Sequence, residues 1–339
     1  MARITLSLPR FRLRLVIFCI TVILSVGVAF PGSCLKSSDG SRNKQYRRRS
    51  CTSGWYLSST TPSWSTEDKL RRDPPQPESL TVRGGDEPIS GEKEVIRKYL
   101  ESMGSTATSL DNFHIHGWRW HTRSLIRETG RLHTLASKTS LPNAILLQEA
   151  TDYVINFNLR GLHKVEADLF FPWMRKQLTS MPQNSEVSRA FSSVMTELEN
   201  GRLSVSQLGK TIQQNADLAV DTRKPDQARV AAIQMIADQS MELQECARSM
   251  MQLEDKYLVP AIAALVPERD QRSFNNKVLR GLGLLDSRLH LVSMYEAVTQ
   301  DENRLKEEEL FQKAIPSVPQ MMIPRWKRKL YVPKTYMFE

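Results

Sequence analysis

Two short stretches hold the residue types best suited to chemistry. HKVEADLFFPWM runs from His163 to Met174, and MQLEDKYLVPAI runs from Met251 to Ile262. Aligned on their prolines, Glu166 matches Glu254, Leu169 matches Tyr257 and Pro172 matches Pro260. Each copy therefore sets a glutamate six residues ahead of a proline, with apolar residues between. A carboxylate on an apolar helix seam must be paired, protonated or bound to a cation, because an isolated buried charge is costly. Two such carboxylates in equivalent places suit a site at the centre of a helical bundle. Of the six histidines, three fall close together in FHIHGWRWH, at His114, His116 and His121. His114 and His121 are seven residues apart and would share a helix face, with His116 pointing elsewhere. Imidazole and carboxylate groups on facing helices are the donors expected for iron or another first-row metal.

The elements that must position these groups are helical. From Ser105 onward no stretch alternates with period two, and several repeat at three-four spacing. Trp118, His121, Leu125, Leu132 and Leu135 define a first helix over about 108–137. Pro142 suits the first turn of a second, which runs to about Leu178 and carries Ala150, Tyr153, Phe157, His163, Glu166 and Phe170 on its core face. Pro172 should kink or end it. Val187, Phe191, Val194, Met195 and Leu198 form a short amphipathic helix over 186–198, with Gly201 as its expected cap and a weaker helix over 205–219. Asp226 can cap a long helix whose seam runs Ile233, Ile236, Ser240, Leu243, Ala247, Met250, Glu254 and Leu258. Helices over 273–299 and 301–314 follow. The proline-rich AIPSVPQMMIPRWKRKLYVPK is expected to be extended and wrapped on the bundle. The fold class is thus all-α: an antiparallel four-helix bundle with extra C-terminal helices and an extended basic tail.

On these residues the chain resembles the hemerythrin-like (HHE cation-binding) family over roughly residues 107–266. The likeness rests on an inward histidine in the setting HTRSL, His121 to Leu125, and on the two glutamate-to-proline motifs. In that family each glutamate follows a histidine by four residues, a further histidine comes from the third helix, and together they hold a non-haem di-iron centre that binds oxygen or senses iron or redox state. The resemblance makes His121, Glu166 and Glu254 metal ligands, with His163 as a substitute ligand. The chain departs from the pattern in three places. Leu162 stands four residues before Glu166, Met250 stands four residues before Glu254, and the helix over 186–198 has no histidine. Two functional expectations follow. One is a bundle binding a non-haem metal ion, iron first, at His121, His163, Glu166 and Glu254. The other is a metal-free scaffold or interaction protein that retains the fold, its glutamates satisfied by hydrogen bonds. An oxygen-activating enzyme is the weakest alternative, and no nucleotide-binding or nucleophile motif is present.

The formal net charge of +10 would suggest a nucleic-acid or membrane partner, but it is concentrated. Ten Lys or Arg and one acid, Asp39, fall within residues 1–66, so the remainder is nearly neutral and no nucleic-acid partner is expected. The same segment reads as an address. Arg3, Arg10, Arg12 and Arg14 precede an apolar run from Leu15 to Ala29, as in a signal peptide over 1–29. Residues 30–66 are rich in Ser and Arg, the transit-peptide composition, and the VAFPGS junction is similar to that of bipartite plastid presequences. Plastid import is the expected destination, with secretion as the alternative and no stable membrane span in the mature protein. Residues 67–104 read as an unpacked linker, 105–268 as the bundle and 269–339 as a C-terminal extension. Removal of the leader would leave Cys246 as a single cysteine, without a disulfide partner.

Overall fold

The computed structural model describes residues 91–179, 185–281 and 284–339. The leader segments over 1–66 and the linker up to residue 90 lie outside the described residues. The described part belongs to one compact unit, Leu80–Glu339. It is all-α: no strand occurs among the described residues.

Helix α1 is Gly91–Met103. It falls inside the stretch expected as linker. Ile96 and Leu100, one turn apart, are buried, and α1 packs on the long helix Ser185–Val220. Helix α2 is His116–Ala136. His114 precedes it, and its backbone N–H donates to Gln271. The expected shared face of His114 and His121 is therefore not formed, because the helix starts two residues too late.

Helix α3 covers 144–179 as one rod with two wide π segments, Asp152–Leu159 and Glu166–Phe170. Helix α4 is Ser185–Val220, a single span of 36 residues where two helices were expected. Gly201 does not cap it; a side chain there would press on Met250, so the glycine serves close packing. Helix α5 covers 226–265 and contains the π segment Glu254–Leu258. The most extensive packing is α2 against α5 and α4 against α5, followed by the flank of α2 covered by α7.

Helices α6 (Glu268–Gly281), α7 (Leu284–Val298) and α8 (Arg304–Ala314) follow. The proline-rich tail, expected to be extended, is instead helix α9 over 317–335, with a π turn at Lys327–Tyr331. Pro319 lies in the first turn, where its missing N–H breaks no bond. Pro333 is accommodated by the π turn just ahead of it.

That solution is used three times. The N–H of Phe171 bonds the carbonyl of Glu166, that of Val259 bonds Glu254 and that of Val332 bonds Lys327, each a five-residue step just before a proline. A proline ring clashes with the carbonyl four residues back and cannot donate to it, and one wide turn relieves both defects. Pro172 thus neither ends nor replaces its helix.

The tail is fastened at a buried carboxylate. Glu128 is fully buried on α2. The Tyr331 hydroxyl donates to it at 2.7 Å, Arg131 contacts it at 3.0 Å, and Arg127 pairs with it closely. A buried carboxylate with three donors is satisfied; one missing a donor is not. The substitution Tyr331→Phe is expected to lower stability by about 1–3 kcal/mol, and Glu128→Ala by more, about 3–5 kcal/mol, since it strands two arginines. Urea unfolding of the two variants checks this, and equal midpoints to the parent would contradict the fastening.

No helix among the described residues is long and apolar enough to cross a membrane.

Candidate functional site

The duplicated motif brings its two glutamates together. Glu166 on α3 and Glu254 on α5 are both buried, and each opens a π segment. Trp118 from α2 lies beside them, stacked on Phe170 at 4.0 Å. Phe170 also meets Phe171 and Phe274 edge-on, so this end of the core is walled by rings. Water is kept out, and the carboxyls carry the consequence. Burial raises the pKa of Glu166 to about 7, although the Trp118 indole and the Arg202 charge oppose the rise. Burial, then the neighbouring Glu166 and Asp255, raise that of Glu254 well above the carboxylate range, against the pull of Arg119. Two carboxyls so placed do not ionise together.

Some of the polar groups here lack partners. Trp118 Nε1, Glu166 Oε2 and Glu254 Oε2 are buried and make no hydrogen bond. Arg119 grips Asp255 with two nitrogens, at 2.7 and 3.1 Å, leaving its third buried and unpartnered.

His121 is buried on α2 and meets His290 of α7, ring centroids 4.6 Å apart. His290 stacks on Phe157 at 4.1 Å. Burial holds both rings in the neutral form: His290 falls to about 4 and His121 well below its usual value. His163 lies half-buried on the face of α3 turned toward α4, where burial and Arg202 depress its pKa to about 4. His163 and Glu166 are three residues apart, only about 60° around the helix, and both feel the charge of Arg202 on α4. Among the described residues no group of three or more His, Cys, Asp or Glu side chains stands in a metal-holding arrangement. The four expected ligands thus divide into a carboxyl pair, a histidine that pairs with His290, and a histidine at a different cleft. Leu162, where the family pattern has a histidine, is a buried core residue.

Beyond the histidine pair the polar column continues along α2. Ser124 contacts Ser293 at 2.6 Å, Asn158 donates to Ser124 at 3.0 Å, and Tyr153 reaches Ser293 at 3.3 Å. One turn further lies Glu128. Positions 118, 121, 124 and 128 thus form a polar seam that lies among the hydrophobic core residues.

His290, Ser293 and Asn158 carried no signal as site residues in the sequence. His290 lies on a helix remote in sequence from both glutamates, and its partner is a shape: Gly161, where a Cβ would lie 2.5 Å from His290 Nε2. Gly161→Ala is expected to cost about 1–3 kcal/mol by overpacking, read as a lower thermal midpoint, while Ala at the exposed Asn156 should be nearly silent.

The carboxyl pair makes stability depend on pH with a definite sign. An acid whose pKa is raised by folding binds its proton more tightly in the folded chain, so stability falls as pH rises from 4.5 through about 7 for Glu166 and beyond for Glu254. The buried histidines act oppositely, but only below their ordinary 6.5. Above pH 6.5 the parent should therefore lose up to about 1.4 kcal/mol per pH unit for each carboxyl still titrating, Glu166 to about pH 7 and Glu254 beyond it, and Glu254→Gln should flatten that slope. An unchanged slope in urea titrations would overturn the assignment. No protein-family model, curated protein or solved structure matches this chain.

Proposed function

We propose that this chain is a hemerythrin-like antiparallel four-helix bundle, formed by α2 to α5, that serves as a helical scaffold with a proton-holding carboxyl pair in place of a metal centre. The observation that carries the reading is the set of cations near the pair. Arg202 acts on Glu166 and Arg119 on Glu254. Guanidinium groups beside the carboxyls supply positive charge that the family's metal would otherwise supply, and raised pKa values let protons supply the rest. Leu162 and Met250 at the histidine positions, and His163 turned to another cleft, agree with this.

As a scaffold, the bundle would work through its surface. Leu305 on α8 and Met321 on α9 are 82% and 79% exposed, in the C-terminal helices that the family bundle lacks.

A second reading is favoured by one observation. Glu166 Oε2, Glu254 Oε2, His121 Nε2 and His290 Nδ1 are all buried without hydrogen-bond partners. Buried polar atoms left unpaired invite a ligand. In that reading Glu166 and Glu254 would hold a divalent ion, iron first, with His121 as a further donor, and the ion would supply Lewis-acid or redox chemistry.

Elemental analysis of the purified full chain separates the two. The scaffold reading expects less than about a tenth of an equivalent of iron, zinc or manganese and no gain in thermal midpoint on adding Fe(II), since a ligand binding only the folded state must raise it. Near-stoichiometric metal, lost in the Glu166→Gln, Glu254→Gln double variant, would establish the second reading instead.

A further inference from the structure

A cleft of about 440 Å³ runs between α3 and α4. Its α3 wall is Ile155, Asn156, Leu159, Arg160 and His163; its α4 wall is Ser206, Lys210, Gln213 and Gln214. The spacing explains why these residues converge. Positions 155, 159 and 163 recur every four residues along α3, as do 206, 210 and 214 along α4, so one face of each helix lines the cleft. Gly209 lets the helices approach closely there. A Cβ at that position would sit 2.8 Å from Leu159 Cδ2. The floor is thereby made of Ile155 and Leu159, which are buried, and the rim of polar groups.

The rim is positive. No carboxylate lines the cleft. Arg160 and Lys210 are its two charged residues, one on each wall, both exposed and neither making an ion pair or side-chain hydrogen bond within the described residues. Arg202, half-buried one turn back on α4, adds a third cation whose field reaches His163, and its Nε is buried without a partner. The nearest acids are Asp152 and Asp217. Their carboxylates are engaged by Asn156 at 2.6 Å and by Gln148 at 2.9 Å, and both line the neighbouring cleft instead. That second cleft also contains Glu149, so the two adjoining hollows have opposite charge.

We propose that the α3–α4 cleft binds a small organic anion, with a carboxylate or phosphate head held between Arg160 and Lys210 and an apolar body lying on Ile155 and Leu159. The volume suits a ligand of this size, and apolar floors with a few convergent polar groups are the usual form of small-molecule sites. Arg160 can take a planar carboxylate or a phosphate through two nitrogens, and Lys210 adds a compact charge from the opposite wall. Ser206 and Gln214 offer neutral donors beside the head group.

The test is titration calorimetry of the full chain with four probes: benzoate, phenyl phosphate, inorganic phosphate and benzamide. At least one of the two aromatic anions should bind, and the tighter of them identifies the head group. Inorganic phosphate lacks the body and benzamide the charge, so both should bind at least about tenfold more weakly. The double variant Arg160→Gln, Lys210→Gln should lose about tenfold or more of the aromatic anion's affinity, while Lys164→Gln, exposed on α3 and outside the cleft, should stay within about twofold. Both substituted positions are exposed, and an unchanged thermal midpoint will show that the fold is intact. No binding of either aromatic anion would overturn the proposal. So would equal binding of benzamide, or a double variant that binds as the parent does.

Discussion

Two buried carboxyl groups that feel each other's charge constrain this core. Glu166 and Glu254 cannot both be charged in a dry, ring-walled space, so the fold must bring protons or cations to them. The surrounding arrangement answers that requirement. Arg119 is fixed by Asp255 and stands near Glu254; Arg202 stands near Glu166 while lying over the Phe171 ring. The pair thus sits between two guanidinium groups from different helices, which ties α2, α3, α4 and α5 to one electrostatic balance.

The three π turns show what the duplicated motif encodes. A glutamate six residues ahead of a proline resembles a ligand signature, but the third copy, Lys327 to Pro333, has a lysine at that position and the same backbone. In these three places the wide turn accompanies the proline, whichever residue opens it. Its effect is to rotate the residues after it relative to those before it, so a helix can keep its apolar face inward across a break in period. In α3 and α5 that rotation begins at the buried carboxyl. The chemistry and the backbone device coincide twice and separate once.

Much of the helical class was legible in the chain because three-four spacing survives in every core helix. Ile233 through Leu258 is the clearest case. Boundaries were less so. Gly201 reads as a cap, yet it lies inside α4, because a glycine can serve close packing as well as termination. The tail's prolines read as extended chain, yet Pro319 sits in a first turn and Pro333 behind a π turn, where proline costs little, and Pro324 is carried inside the helix. For the site, the two glutamates were legible from their repeated setting. His290 was not, since its partnership with His121 depends on a contact across 169 residues of chain and on the hollow left by Gly161. His163 reads as a neighbour of Glu166, and it lines the cleft between α3 and α4.

The fastening of the tail has a consequence in time. Glu128 is buried with Arg127 and Arg131 beside it, but the hydroxyl that completes its partners belongs to Tyr331, 203 residues later. During synthesis the first helices leave the ribosome long before that hydroxyl exists. Until Tyr331 emerges, the carboxylate that α2 will bury has only its own helix's arginines and solvent for company. The order of manufacture therefore opposes early closure of this end of the core and delays its locking step until the segment around Tyr331 has been made.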